Sequence, residues 1–148
     1  MTKAEDETWM ARAVELARAN VGLTGDNPSV GCVIVNEGLV VGEGVTAPGG
    51  RPHAEERALD AAGEAARDAT AYVTLEPCGQ RSSGDAPCGE RLARAGIVRV
   101  VIACEDPSIM AAGRGLKQLR EAGVARELGV LGEQASALYA AYRPKGGG

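Results

Sequence analysis

Phenylalanine is absent from the 148-residue chain, and aromatic residues make up only 3% of it. An interior of stacked aromatic rings is therefore excluded, and the core must be built from Val, Leu, Ile and Ala. Aliphatic interiors of this kind are typical of a sheet covered by alanine-rich helices. The composition thus favours an α/β fold.

Long hydrophobic runs and a signal peptide are also missing. No apolar stretch reaches the roughly 18–20 residues that a membrane-spanning helix requires. The first ten residues, MTKAEDETWM, are polar and acidic, unlike the basic and then apolar start of a secretory signal. We therefore expect a cytoplasmic protein that has no membrane partner.

Basic residues are fewer than acidic residues, 16 against 20, so the net charge is −4 and the pI is near 5.1. Domains that bind nucleic acid through its phosphates concentrate Lys and Arg on one face. The charge balance excludes strong binding of this kind. We expect a small-molecule substrate, and nucleic acid is not an expected partner.

The chain length allows one packed core and is too short for two ordinary domains. Residues 1–148 are therefore predicted to form a single domain, with a disordered glycine-rich tail at about residues 144–148. The chain contains four cysteines. Without a secretion signal, cysteines are more often reduced, catalytic or metal-bound than joined in disulfides.

Hydrophobic periodicity and turn residues predict five helices and five strands. The predicted helices cover residues 7–20, 53–66, 90–96, 115–123 and 132–142. The predicted strands cover residues 30–35, 39–45, 71–75, 98–104 and 125–131. The first two strands are separated by the short turn Asn-Glu-Gly and predict a hairpin. The alternation of strands and helices in the second half implies right-handed crossovers on one sheet.

The single histidine, His53, lies in the segment PHAEE at the start of the second predicted helix. Taken alone, a histidine beside acidic residues on a helix is usually a solvated or capping group. Cys78 and Cys88 change this interpretation, because each follows a proline at a predicted strand end or helix start, where a thiolate can point into a cleft. One imidazole and two thiolates form a recognised catalytic zinc set, since three protein ligands leave a fourth tetrahedral position for water. His53, Cys78 and Cys88 are thus the predicted Zn²⁺ ligands.

Glu55 is the predicted catalytic residue, because a carboxylate two residues after the ligand histidine can lie beside the metal without binding it. It would take a proton from water and deliver it to the substrate. This arrangement matches the H-x-E and P-C-x-x-C pattern of zinc deaminases, although nine residues separate Cys78 from Cys88 instead of two. A structural zinc site is the alternative, but its fourth ligand would have to be Cys32 or Cys104, which lie among Val and Ile in predicted strands.

The segments NPSVGCVIV, GGRPHAEERAL, AYVTLEPC and APCGERLARAGIVRVVIACEDP occur in this order. Over roughly residues 9–140 the chain resembles the deaminase domain of the bifunctional bacterial riboflavin-biosynthesis enzymes. The resemblance implies a three-layer α/β/α, cytidine deaminase-like fold with a central five-stranded mixed sheet. It also implies substrate contacts at Asn27, Arg81 and Asp106.

The reaction implied by the resemblance is hydrolytic removal of an amino group from diaminohydroxyphosphoribosylaminopyrimidine in riboflavin biosynthesis. The family implies a homo-oligomer, either a dimer or a tetramer. We expect no reductase domain in this chain, so either the reductase is a separate protein or the chain is a stand-alone paralogue that acts on another substrate.

Three departures from the family pattern lie in segments expected to touch substrate. Thr46 stands where many members have His, the loop after Cys78 differs, and Ser-Ile-Met occupies residues 108–110. These departures leave the substrate class open, with three alternatives. They are an aminohydrolase for another base, nucleoside or specialised metabolite, a tRNA adenosine deaminase, and a zinc-binding domain without catalysis.

Overall fold

Five helices and five strands form the described part of the chain, which in this computed structural model comprises residues 2–25, 28–77, 88–105 and 114–139. The helices are α1 Lys3–Ala19, α2 Ala54–Ala62, α3 Cys88–Arg94, α4 Arg114–Glu121 and α5 Gly132–Leu138. The strands are β1 Gly31–Asn36, β2 Leu39–Val45, β3 Thr70–Leu75, β4 Arg99–Cys104 and β5 Ala125–Leu128. A short 3-10 turn, Gly63–Ala66, follows α2. The predicted tail at about residues 144–148 lies outside the described ranges.

The strands form one sheet in the order β2-β1-β3-β4-β5. Strand β1 pairs antiparallel with β2 and β3, whereas β4 pairs parallel with β3 and β5. The prediction of a mixed five-stranded sheet is confirmed. The two parallel connections run through α3 and α4, in agreement with the predicted crossovers.

Helices cover both faces of the sheet. Helix α1 packs on β1 and β3, and α5 packs on β4 and α1, whereas α2 packs on β2 and β1 and α4 packs on β5. A Cβ on Gly31 would lie 1.9 Å from the Ala13 carbonyl oxygen in α1, and a Cβ on Gly44 would lie 2.3 Å from the Ala54 carbonyl oxygen in α2. Gly44 pairs with Cys32, the neighbour of Gly31, so the two close contacts are on opposite faces. The predicted three-layer architecture is therefore confirmed.

The first helix begins earlier than predicted, at Lys3 instead of residue 7. Thr2 is the cap residue, and its hydroxyl accepts a hydrogen bond from the Glu5 backbone N–H at 3.1 Å. This Thr-x-x-Glu spacing is a capping box, which places the acidic residues in the first turn of the helix. The sequence contained the signal, but the prediction was based on hydrophobic periodicity, which begins later.

Other boundaries differ by a few residues. Helix α3 begins at Cys88 instead of residue 90, and α2 gives way to the 3-10 turn after Ala62. Strand β5 ends at Leu128 instead of residue 131, because Gly129 and Leu131 have positive φ angles of 105° and 54° that turn the chain. None of the described helices is long and apolar enough to cross a bilayer.

A buried ionic cluster joins the start of α1 to the sheet. Asp6 is 3% exposed, and its two carboxylate oxygens accept hydrogen bonds from the Arg99 guanidinium at 2.9 and 2.6 Å. The Tyr72 hydroxyl also donates to Asp6, at 2.7 Å, and Arg99 forms a second ion pair with Glu127. The hydrogen bonds from Arg99 lower the pKa of Asp6; burial opposes this shift, and the Tyr72 hydroxyl adds to it.

Gly44→Ala is expected to destabilise the fold by about 1–3 kcal/mol, because the added methyl group would overlap backbone atoms of α2. Urea unfolding followed by circular dichroism measures the change. Leu23→Ala, at a position that is 55% exposed, is the control and should change stability little. Equal stability of Gly44→Ala and wild type would show that α2 can move away from β2 at no cost.

Asp6→Asn is expected to cost about 2–3 kcal/mol at pH 7, because it removes the buried charged acceptor that Arg99 and Tyr72 share and leaves Arg99 with only the exposed carboxylate of Glu127. The pKa of Asp6 is lowered in the folded state, so its contribution is complete above the unfolded pKa near 4 and is lost as the pH falls through the folded value. The difference in unfolding free energy between wild type and Asp6→Asn should therefore shrink below about pH 4. Glu7→Gln, at an exposed neighbour, should show neither effect.

Candidate metal centre

His53 is the N-cap residue of α2, with φ −74° and ψ 159°, and its side chain makes no capping hydrogen bond to the helix. The imidazole points instead towards α3, where its Nδ1 atom lies 3.4 Å from the sulfur of Cys88. The capping interpretation of His53 therefore has no support in the geometry. The cap position does, however, fix the histidine backbone at the end of a helix whose buried side packs on β1 and β2.

Cys88 is the first residue of α3 and is fully buried. Helix α3 packs against α2, which brings two side chains 35 residues apart in sequence into contact. With zinc–nitrogen and zinc–sulfur bonds of ordinary length, two ligand atoms at tetrahedral corners would be about 3.6 Å apart. The observed 3.4 Å separation of Nδ1 and Sγ fits two corners of such a site.

Glu55 is 4% exposed and belongs to the buried side of α2, together with Ala54, Ala58 and Ala62. Burial raises the pKa of the Cys32 thiol well above its usual value, and the Glu55 carboxylate raises it further. Glu55 thus lies near the sheet residue beneath α2. A carboxylate with little access to solvent needs a polar function or partner to offset the cost of its burial.

Glu56 is a residue that the sequence reasoning missed. Ligand atoms of His53, Glu56 and Cys88 all lie within 4.8 Å of one another, and among the described residues they form the group that could hold a metal ion. Zinc accepts nitrogen, sulfur and carboxylate oxygen as ligands. The available signal was spacing: residues three apart on a helix are neighbours, so Glu56 lies on the side of His53.

The other two cysteines of the described chain are outside this group. Cys32 is fully buried in β1, as expected for a small core residue. Cys104 is partly buried at the end of β4, and its sulfur donates to the Thr74 carbonyl oxygen at 3.3 Å. None of Cys32, Cys88 and Cys104 is in a disulfide.

Four predicted site residues, Cys78, Asn27, Arg81 and Asp106, lie outside the described ranges. Their roles stay predictions.

The segment that follows Asn27 is held by a buried polar network. The Tyr139 hydroxyl, at the end of α5, donates to the Ser29 carbonyl oxygen at 2.9 Å and shares a 2.8 Å hydrogen bond with the Thr74 hydroxyl. The Thr46 hydroxyl accepts from the Val30 N–H at 2.9 Å. Thr46, one of the departures from the family pattern, therefore has a structural function at the start of β1.

Glu76 follows β3, two residues before Cys78, and it too is a buried polar residue next to a predicted site residue. It is 3% exposed, and its carboxylate accepts a hydrogen bond from the Leu116 N–H at 3.3 Å in the first turn of α4. Its own N–H donates to the Cys104 carbonyl oxygen at 2.9 Å. A negative charge at a helix N-terminus is favourable. Glu76 thus joins the ends of β3 and β4 to α4.

Residues 3–104 match the family described as the cytidine and deoxycytidylate deaminase zinc-binding region. This range contains every helix and strand from α1 to β4, including His53, Glu55 and Cys88.

The riboflavin biosynthesis protein RibD of Escherichia coli strain K12 is 48% identical over 134 residues, which are 90% of this chain and 36% of that protein. A structure of Acinetobacter baumannii RibD matches with a TM-score of 0.91 and 43% identity, over 95% of this chain and 39% of that one. A Thermotoga maritima deaminase/reductase structure matches with a TM-score of 0.83 and 36% identity, over 92% of this chain and 39% of that one. This chain spans little more than a third of the length of these relatives.

Cys88→Ser is expected to lower zinc affinity by at least about tenfold, because it replaces a thiolate with a weaker neutral donor beside His53. Metal analysis after dialysis against a graded series of chelator concentrations measures this. Cys104→Ser, outside the donor group, should keep the wild-type affinity. Equal zinc retention by the two variants would exclude Cys88 as a ligand.

Proposed function

Because the chain belongs to the cytidine and deoxycytidylate deaminase family, we propose that it is a zinc-dependent deaminase that hydrolyses an exocyclic amino group from a pyrimidine-type substrate. The observation that carries the proposal is the contact between His53 and Cys88 at 3.4 Å, with Glu55 buried two residues after the histidine. The family supplies the zinc chemistry, and these three side chains supply a ligand pair and an adjacent carboxylate. Cys78 is the proposed third ligand.

Zinc, when bound, supplies a polarised water molecule whose pKa is lowered towards about 7. Glu55 would accept one proton from the attacking water and transfer it to the ring nitrogen of the substrate, while the water oxygen forms a bond to the ring carbon. Glu55 would then take the second proton from the new hydroxyl group and deliver it to the amino group, so that the C–N bond breaks, ammonia leaves and a carbonyl group remains. Its position on the buried side of α2 excludes bulk water and keeps the proton transfers within the site.

Diaminohydroxyphosphoribosylaminopyrimidine is the proposed substrate, because the relatives that share 36–48% identity are riboflavin biosynthesis proteins and the Thermotoga structure is named for the deamination of this compound. Asn27, Arg81 and Asp106 are the proposed substrate contacts. The chain matches only 36% of the length of the E. coli relative. We therefore include in the proposal a separate reductase that consumes the product.

We also propose that residues 1–148 fold as a single domain, that copies of this chain form a homo-oligomer, and that the protein acts in the cytoplasm. Leu39 and Val40 on the β1–β2 hairpin are 69% and 40% exposed and offer apolar surface for contact between copies. The charge of −4 supports a small-molecule substrate over a nucleic acid.

The purified protein is expected to release ammonia from the diaminopyrimidine ribosyl phosphate. Glu55→Gln should reduce turnover by at least about 10²-fold while zinc remains bound, because it removes the proton carrier and retains the metal ligands. Ammonia release and zinc content are measured on the same samples. Asp60→Asn, an exposed change on the same helix, is the control and should retain full activity.

The substrate panel also contains cytidine, deoxycytidylate and a purine nucleoside. Turnover of one of these without turnover of the diaminopyrimidine would contradict the riboflavin assignment and retain the deaminase chemistry. Zinc binding without ammonia release from any compound would favour a non-catalytic zinc domain.

A further inference from the structure

Two adjacent glutamates at the start of α2 have different environments. Glu55 is 4% exposed and belongs to the side of the helix that packs on the sheet. Glu56 is half-buried, and its Oε1 atom is shielded from solvent. The difference follows from helical geometry, because successive side chains point about 100° apart around the axis.

Glu56 faces the candidate metal centre. It is three residues after His53, a spacing that brings side chains together on a helix. Its carboxylate, an imidazole nitrogen of His53 and the sulfur of Cys88 all lie within 4.8 Å of one another. Glu55 is not a member of this group, although it is nearer to His53 in sequence.

The spacing is compatible with direct ligation. Oxygen and sulfur ligands at two corners of a zinc tetrahedron are about 3.6 Å apart, so a small change in a flexible side chain brings the Glu56 oxygen to a ligand position. His53 and Cys88 are already separated by a ligand-to-ligand distance. The backbone of Glu56 is fixed by α2, and only side-chain rotation is required.

We infer that Glu56 is a further metal ligand, whose carboxylate binds zinc together with His53 and Cys88 when no substrate is present. This inference rests on the zinc site of the proposed function. Carboxylate ligation would strengthen the retention of the metal. Glu55 and Glu56 then have separate functions, proton transfer and metal retention.

Matched glutamine variants at adjacent positions test the inference. Glu56→Gln should weaken zinc binding by at least about tenfold in chelator competition, since even carboxylates outside the first coordination shell contribute this much. Glu55→Gln should leave the zinc affinity unchanged. At saturating zinc, Glu55→Gln should lose turnover, which separates its effect on proton transfer from an effect on metal retention.

Cobalt substitution distinguishes a direct ligand from an outer one. The visible absorption of the Co²⁺ protein without substrate should differ between wild type and Glu56→Gln, because the ligand set changes. Glu56→Asp retains the charge on a shorter side chain and should give an intermediate zinc affinity. Asp60→Asn removes the same charge one turn further along α2 and should behave as wild type.

Unchanged zinc affinity in Glu56→Gln would overturn the inference, and so would weaker binding with an unchanged cobalt spectrum. Circular dichroism of each variant checks that the fold is retained. A wild-type protein that binds no zinc would instead contradict the proposed function itself, so the two failures are distinguishable.

Discussion

The contact between α2 and β2 is the constraint on which the rest of the structure depends. Gly42 and Gly44 alternate along β2, and a Cβ on either would lie 2.3 Å from a backbone oxygen of α2. Helix and strand backbones therefore approach without intervening side chains. His53 occupies the N-cap position of this helix and Glu55 lies in its first turn. The same contact therefore fixes the distance of both residues from the sheet. Site geometry thus depends on two residues that have no side chain.

The close approach also explains how a carboxylate can be buried at this place. A helix N-terminus carries partial positive charge from its unpaired N–H groups, which favours an acidic residue in the first turn. Glu55 occupies that turn on the buried side of α2, above the thiol of Cys32. The helix end lowers the cost of burying the negative charge, and the neutral sulfur beneath it adds no competing charge. The proposed proton carrier is therefore held in a buried position at the start of the helix.

Most of the fold was predictable because local patterns and tertiary structure agree. The runs VGCVIV and VRVVIAC are strands since β-branched residues suit a sheet covered on both faces, and most residues of both runs are buried. The start of α1 was missed because the prediction followed hydrophobic periodicity and not the capping box at Thr2 and Glu5. Asp6 in the first turn also pairs with Arg99, 93 residues away. Periodicity cannot detect such a pair. The early end of β5 has a local cause, the positive φ angles of Gly129 and Leu131. Leucine rarely adopts a positive φ, so the residue type at position 131 did not predict the turn.

Some residues of the candidate site could likewise be predicted from the sequence, and others could not. His53, Glu55 and Cys88 could be selected from the sequence because zinc chemistry restricts the residue types and the spacing of the first two. Glu56 required the helix to be seen beside Cys88, since glutamates at helix starts are common and ordinarily serve the helix. Tyr139 is a stronger case, because its hydroxyl reaches Ser29 from the other end of the chain. Candidate metal ligands can thus be selected by their chemistry, whereas residues such as Tyr139, which hold distant segments together, are restricted only by the folded geometry.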